Sequence, residues 1–257
     1  MKMAVVTGAS SGIGREIALL LAARGYGLIL TARRVERLNA LAARAKSSYG
    51  VDTVVLAADL SDRAACKALH EQTAGYDVEV LVNNAGFGAC GDFTELSLDT
   101  ELSMIDTNVT AVHSLTKLFL RDFVAKNRGY ILNVASSAGL MPGGPWMATY
   151  YATKAYVLSL SRAVSQELAE KKSAVRVSAL CPGPVDTEFN DVAKVRFSMK
   201  GIPAALCARL AVEGLFRGKR VILPAMPVAA LPVALHLLPA NFLLKCSGKV
   251  QKQKLQK

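Results

Sequence analysis

Met3-Ala4-Val5-Val6-Thr7 runs directly into Gly8-Ala9-Ser10-Ser11-Gly12-Ile13-Gly14, a short apolar strand pattern followed by a loop with three glycines. Glycine lets a backbone turn tightly and come close to a pyrophosphate, whose charge then meets N–H groups and the positive end of the following helix. The spacing, T-G-x-x-x-G-x-G, departs from the G-x-G-x-x-G dinucleotide fingerprint. On these residues alone an ordinary turn remains open. Further along, apolar runs of strand length recur at Gly27–Ala32, Thr53–Ala58, Val80–Asn83, Gly129–Ala135 and Val175–Leu180, separated by longer helical patterns. That alternation predicts repeated βαβ units, hence a parallel α/β sheet with helices on both faces.

The chain has 257 residues, 52% of them hydrophobic and 20% charged, which excludes disorder and allows one large domain with a substantial core. Net charge is +11, which suggests an anionic partner, but the excess is localised. Up to Glu213 there are 23 basic against 20 acidic side chains, and the remaining eight Lys or Arg all follow it. The basic tail lacks interleaved aromatics or a reading helix, so no nucleic-acid partner is predicted. Cys66, Cys90, Cys181, Cys207 and Cys246 show neither C-x-x-C nor Cys/His spacing, and His70, His113 and His236 lie far apart. Neither a metal site nor a disulfide framework is expected, and buried reduced thiols fit better. Because Met3–Thr7 already reads as the first strand, no signal peptide is expected and a cytoplasmic location is.

The second strand ends in Ala32-Arg33-Arg34, where an NAD site would usually carry an acidic residue for the ribose 2′-hydroxyl. A guanidinium fork suits a 2′-phosphate instead, favouring NADP(H) over NAD(H), with Arg33 the better candidate than Arg34. Asp59-Leu60 follows the third strand, with Ser61 placed to cap the next helix; Asn83-Asn84-Ala85-Gly86 closes the fourth. Leu98, Leu102, Ile105, Val109, Val112, Leu115, Phe119 and Phe123 form one apolar helical stripe. Asn108, flanked by that stripe, reads as structural. Ser136 and Ser137 end the fifth strand, and Tyr150 and Lys154 stand four apart in a helical segment, on one face. A Lys cation beside a Tyr hydroxyl is expected to lower the phenol pKa toward the working range of a general acid. After the sixth strand an irregular region from Cys181 to about residue 202 is long enough to be a lid.

Taken together, over residues 3–223, these motifs resemble the short-chain dehydrogenase/reductase family. The resemblance implies a Rossmann-type doubly wound sheet of about seven strands. It implies cofactor contacts from Gly8, Ser10, Ser11, Gly12, Ile13, Gly14, Arg33, Asp59, Leu60, Asn83, Ala85, Gly86, Tyr150, Lys154, Pro182, Gly183 and Thr187. It also reverses the reading of Asn108, which falls where the family has a catalytic Asn in a proton relay. Ser137, thirteen residues before Tyr150, matches the family's catalytic spacing, which Ser136 does not. Tyr150 would be the general acid or base, Lys154 its electrostatic partner, and Ser137 a donor to the reacting oxygen. One departure stands out: where many NADP-preferring members have a basic residue before the second loop glycine, this chain has Ser11. The activity implied is an NADP(H)-dependent carbonyl reductase or alcohol dehydrogenase, and the assembly expected is a homo-oligomer, a dimer or tetramer. The alternative is a dinucleotide-binding sensor that uses the fold without turnover.

Residues 1–223 read as the domain, and 224–257 as an extension. Val221–Leu244 is an uncharged run of 24 residues with Pro224, Pro227, Pro232 and Pro239, followed by Lys245, Lys249, Lys252, Lys254 and Lys257. Its prolines argue against a transmembrane helix. It is expected either to cover the substrate mouth or an oligomer interface, or to make peripheral membrane contact through residues 224–257, which would bring an apolar substrate.

Overall fold

The computed structural model describes residues 1–189, 193, 201–224 and 238–255. Seven parallel strands form one sheet: β1 (Met3–Thr7), β2 (Gly27–Ala32), β3 (Thr53–Ala57), β4 (Val78–Asn83), β5 (Tyr130–Val134), β6 (Arg176–Leu180) and β9 (Val221–Ile222). Their order is β3-β2-β1-β4-β5-β6-β9, so the direction of winding reverses between β1 and β4. The short strands β7 (Val185–Asp186) and β8 (Ile202–Pro203) pair separately.

The central strands are apolar on both faces because both faces are covered. Ala4 and Val6 of β1 join Leu28 and Leu30 of β2 in a core with α1 (Gly12–Ala22), α2 (Val35–Tyr49) and α7 (Ala204–Phe216), through Ile17, Leu21, Leu38 and Ala211. Met3 and Val5 point the other way, with Ile29, to Leu69 of α3 (Arg63–Gln72) and to Phe119 and Phe123 of α5 (Ala111–Ala125). Helix α6 (Ala148–Glu170) lies along β5 and β6. The strand boundaries match the sequence expectation within two residues, and β5 starts one residue late because Gly129 has φ +147.

Two expectations are corrected. Asp62, not Ser61, caps α3: the Asp62 carboxylate accepts from Ala64 N–H at 2.8 Å, while the Ser61 hydroxyl turns back to Asp59 at 2.9 Å. The apolar stripe from Leu98 to Phe123 is not one face. Between α4 (Leu98–Ile105) and α5 lies a π turn, Asp106–Thr110, which holds an extra residue and shifts the helical phase. Val112, Leu115, Phe119 and Phe123 are therefore buried, whereas Leu98, Leu102 and Ile105 are 67%, 48% and 38% exposed. Residues 190–192 and 194–200 of the expected lid, and 225–237 of the uncharged run, lie outside the described residues. Helix α8 (Ala240–Leu255) packs on the Gly/Pro loop: Ser247 and Gly248 contact Gly143 and Pro145.

Candidate active site

At the reversal point between β1 and β4, a cavity of about 410 Å³ opens along the carboxyl ends of the strands. Its floor is fixed by backbone and two side chains. The Thr7 hydroxyl accepts from the N–H groups of Asn84 and Ala85 at 2.9 and 3.0 Å, and the Asn84 amide donates to the carbonyls of Thr7 and Gly8 at 3.0 and 3.1 Å. Gly8 has φ +62, and a Cβ there would lie 2.8 Å from Ala85 Cα. A Cβ on Gly14 would lie 2.3 Å from the Asn84 amide nitrogen. No side chain caps the start of α1, whose first N–H groups lie at the cavity wall with Ser10, Ser11, Gly12 and Ile13. This cradle fits a pyrophosphate.

Asn83, expected at the cofactor, is not there. Its side chain is buried in the sheet, donating to Thr116 Oγ1 at 3.1 Å and Asn133 Oδ1 at 2.9 Å. Asn84 is the residue the sequence reading missed; successive strand residues face opposite sides, so only one of the pair can face the glycine loop. Gly14 acts through packing and does not line the cavity.

Arg33, Arg34, Asp59 and Leu60 line the far end. Arg33 is largely exposed and 3.8 Å from Asp59, whose carboxyl is held below its usual range first by the Ser61 N–H. Arg34, ranked second from sequence, is the one joined to the glycine loop: it donates to Ser10 Oγ at 3.0 Å and Ser11 Oγ at 2.8 Å.

At the other end, α6 places Tyr150 and Lys154 one turn apart, with the ammonium 5.8 Å from the Tyr150 ring centre. The Ser136 hydroxyl lies beside Tyr150 in the cavity wall and acts to lower the phenol pKa. Ser136 Oγ accepts from Ala138 N–H at 3.1 Å, which leaves its hydrogen to point into the cavity. Ser137, favoured by the thirteen-residue spacing, also lines the cavity, and its N–H donates to the Pro182 carbonyl at 2.8 Å. Asn108 is fully buried in the π turn. Its amide donates to the Phe87 carbonyl at 2.9 Å and Thr153 Oγ1 at 3.2 Å, and accepts from Phe87 N–H at 3.1 Å. Ala85, Gly86, Pro182, Gly183 and Thr187 complete the wall.

The electrostatics differ from the sequence expectation. Burial pushes Tyr150 up to about 12, against a smaller lowering by the neighbouring Ser136 hydroxyl. Burial likewise lowers Lys154 to about 8; its ammonium donates to the Val134 carbonyl at 2.9 Å, and no carboxylate pairs with it among the described residues. Desolvation is the largest cause at both groups.

Beyond Tyr150 lies an apolar cluster of Met147, Phe189 and Tyr151 with Cys90 and Ala193. Gln251 from α8 lines the same cavity, its amide hydrogen-bonded to the Tyr151 hydroxyl.

The chain matches the family profile described as short chain dehydrogenase over residues 2–196. It is 32% identical over 250 residues to very-long-chain 3-oxoacyl-CoA reductase-B of Danio rerio, covering 95% of this chain and 78% of that one. Against two further reductases of that kind the chain spans 57% and 61% of the relative's length. A short-chain dehydrogenase from Sphingobium yanoikuyae in complex with NADPH superposes with TM-score 0.84 at 33% identity, covering 92% of each chain. A short-chain dehydrogenase/reductase from Burkholderia phymatum in complex with NAD gives 0.83 at 27%, covering 92% and 93%.

A buried cation without a carboxylate costs stability. Between about pH 8 and 10.5 the unfolded chain holds a proton on Lys154 that the folded chain has released, so this group makes stability rise with pH across that window. Lys154→Met is expected to raise stability by roughly 1–3 kcal/mol at pH 7, a Tm increase of a few °C, while removing turnover. Thermal melts at pH 7 and 10 check this; the gain should shrink at the higher pH.

Proposed function

This chain belongs to the short-chain dehydrogenase family, and from that premise we propose that it is an NADP(H)-dependent carbonyl reductase or alcohol dehydrogenase acting on an apolar ketone, aldehyde or alcohol. The observation that carries the reading is Tyr150 and Lys154 one helical turn apart, beside Ser136 and Ser137, in the same cavity as the glycine cradle. Bound nicotinamide dinucleotide would supply hydride to the carbonyl carbon or accept it from the alcohol. Tyr150 donates the proton to the carbonyl oxygen in reduction and takes it in oxidation. Ser136, its lone pair engaged by Ala138 N–H, donates a second hydrogen bond to that oxygen. Lys154 stabilises the phenolate left behind and would hold the nicotinamide ribose of a bound cofactor. Asn108 positions the Gly86–Phe87 backbone beside Lys154.

Gly8, Ser10, Ser11, Gly12 and Ile13 would hold the pyrophosphate, Asp59 and Leu60 the adenine side, and Thr187 the nicotinamide side. NADP(H) is favoured by Arg33 and Arg34 and by the lack of an acidic residue at the end of β2. The NADPH-bound relative is consistent with this, although the family also includes the NAD-bound one. The apolar substrate follows from Met147, Phe189 and Tyr151 around the reacting end, and from the names of relatives that act on very-long-chain acyl groups.

Tyr150→Phe should abolish reduction across a carbonyl panel with NADPH. Ser136→Ala should cost about 10²–10³ in kcat, as for loss of one donor to a developing oxyanion. Ser137→Ala should cost under roughly tenfold; the reverse ranking would return the role to Ser137.

Two surfaces support further parts of the proposal. Leu98, Leu102 and Ile105 recur on one exposed face of α4, suited to burial against a second copy in a homo-oligomer. Leu102→Glu should lower the oligomeric mass in size-exclusion chromatography with light scattering. On α8, exposed Lys245, Lys249 and Lys252 flank exposed Phe242 and Val250, opposite Leu243, Ser247 and Gln251. That pattern fits peripheral contact with an anionic membrane by a protein otherwise cytoplasmic, and no described helix is long and apolar enough to cross one. Sedimentation with anionic liposomes at low salt should be lost in Phe242→Glu; no binding by the unmodified chain would remove the membrane reading.

A further inference from the structure

Glu188 lies two residues past β7 and reaches the opposite wall of the cavity mouth. Its Oε2 accepts from Arg34 Nη1 at 2.8 Å and its Oε1 from Arg37 Nη1 at 2.5 Å. Arg34 turns its remaining N–H groups to the hydroxyls of Ser10 and Ser11. The nearby Arg33 faces Asp59 instead. One carboxylate therefore spans two guanidinium groups beside the glycine loop, a donor set whose charge and geometry suit a phosphate.

We propose that Glu188 is a cofactor-specificity residue: its carboxylate holds the two-arginine site that a 2′-phosphate would take, and a phosphorylated cofactor must displace it. The inference rests on the NADP(H) reading above and adds a determinant that weakens that preference. A carboxylate and a phosphate cannot share the two forks at hydrogen-bond distance without like-charge repulsion. The ribose 2′-hydroxyl of NAD(H) carries no charge and leaves the bridge in place. Held by both arginines, the Glu188 carboxyl is driven down to about 2, so the competitor stays ionised across the working pH range. Glu188 is flanked by Thr187, whose side chain lies 3.1 Å from a Cβ placed on Gly12, and by Phe189, whose ring centre is 5.5 Å from that of Tyr150. Displacement at the adenine end thus acts on a segment that also touches the reacting end.

The test is equilibrium binding, read by fluorescence titration of NADPH and of NADH into wild type and Glu188→Gln, with competition by adenosine 2′-phosphate and 5′-phosphate. Glu188 is exposed, so the variant should fold, which a thermal melt confirms. The expected result is a three- to tenfold tighter NADPH and adenosine 2′-phosphate, with NADH and the 5′-phosphate changed less than twofold, and an effect that shrinks at high salt. An unchanged NADPH-to-NADH ratio overturns the role of Glu188. If wild type still prefers NADPH in that case, the cofactor reading stands alone. If neither protein discriminates the 2′-phosphate, both fail.

Discussion

The site depends on one reciprocal exchange between β1 and β4. Thr7 and Asn84 satisfy each other's backbone across the two strands where the sheet reverses. Strand ends leave carbonyl and N–H groups that must find partners once buried. Here those partners are two short polar side chains, and the glycine loop is held against β4 with no room for a Cβ at Gly8 or Gly14. The N-terminus of α1 is aimed by this closeness. A bulkier residue at Asn84 would misplace the loop, and a smaller one would orphan the carbonyls of Thr7 and Gly8.

The same exit from β4 builds the other end of the cavity. Gly86 approaches Asn108 and Lys154 so closely that a Cβ would lie 2.8 Å from the Asn108 oxygen and 3.5 Å from the Lys154 nitrogen. Asn108 uses its amide on the Phe87 backbone and on Thr153, whose hydroxyl in turn donates to the Tyr150 carbonyl at 2.7 Å. A mid-helix Asn is unfavourable unless its amide is used elsewhere, and the π turn is what carries it inward to that work. The structural and functional readings of Asn108 are thus the same set of contacts: it locks the helix bearing Tyr150 to the strand end bearing the cofactor wall. Lys154 is left buried against a carbonyl, a cost that packing elsewhere must offset.

Strands were legible because their period and their apolar content agree, and because turn glycines mark their ends. Tyr150 and Lys154 were legible because helical spacing fixes which side chains share a face. What sequence could not resolve were choices between neighbours. Asn83 against Asn84 and Arg33 against Arg34 each differ by one residue, and one residue at a strand end reverses the face. The phase shift in the Leu98–Phe123 stripe was hidden for a related reason: a π turn has no composition signal, and counting by 3.6 carries straight through it. The raised Tyr150 and lowered Lys154 were missed because spacing reports proximity, while burial, which decides the balance of charge here, depends on Phe189, Met147 and the strand ends around them.

Three consecutive residues after β7 join what the sheet holds apart. Thr187 meets the glycine loop at Gly12, Glu188 the arginines beyond β2, and Phe189 the Tyr150 ring. The chain bends at Thr187, turns at Glu188 and enters a helical turn at Phe189. Successive side chains on a turning backbone diverge, so Thr187 can face the glycine loop, Glu188 the arginines and Phe189 the Tyr150 ring. The pairing of Val185 with Ile202 and of Asp186 with Pro203 fixes where that segment starts. A change in either short strand would move all three contacts together. Cofactor fit and substrate fit are consequently not independent properties of this cavity, even though the residues that make them belong to opposite ends of the sheet.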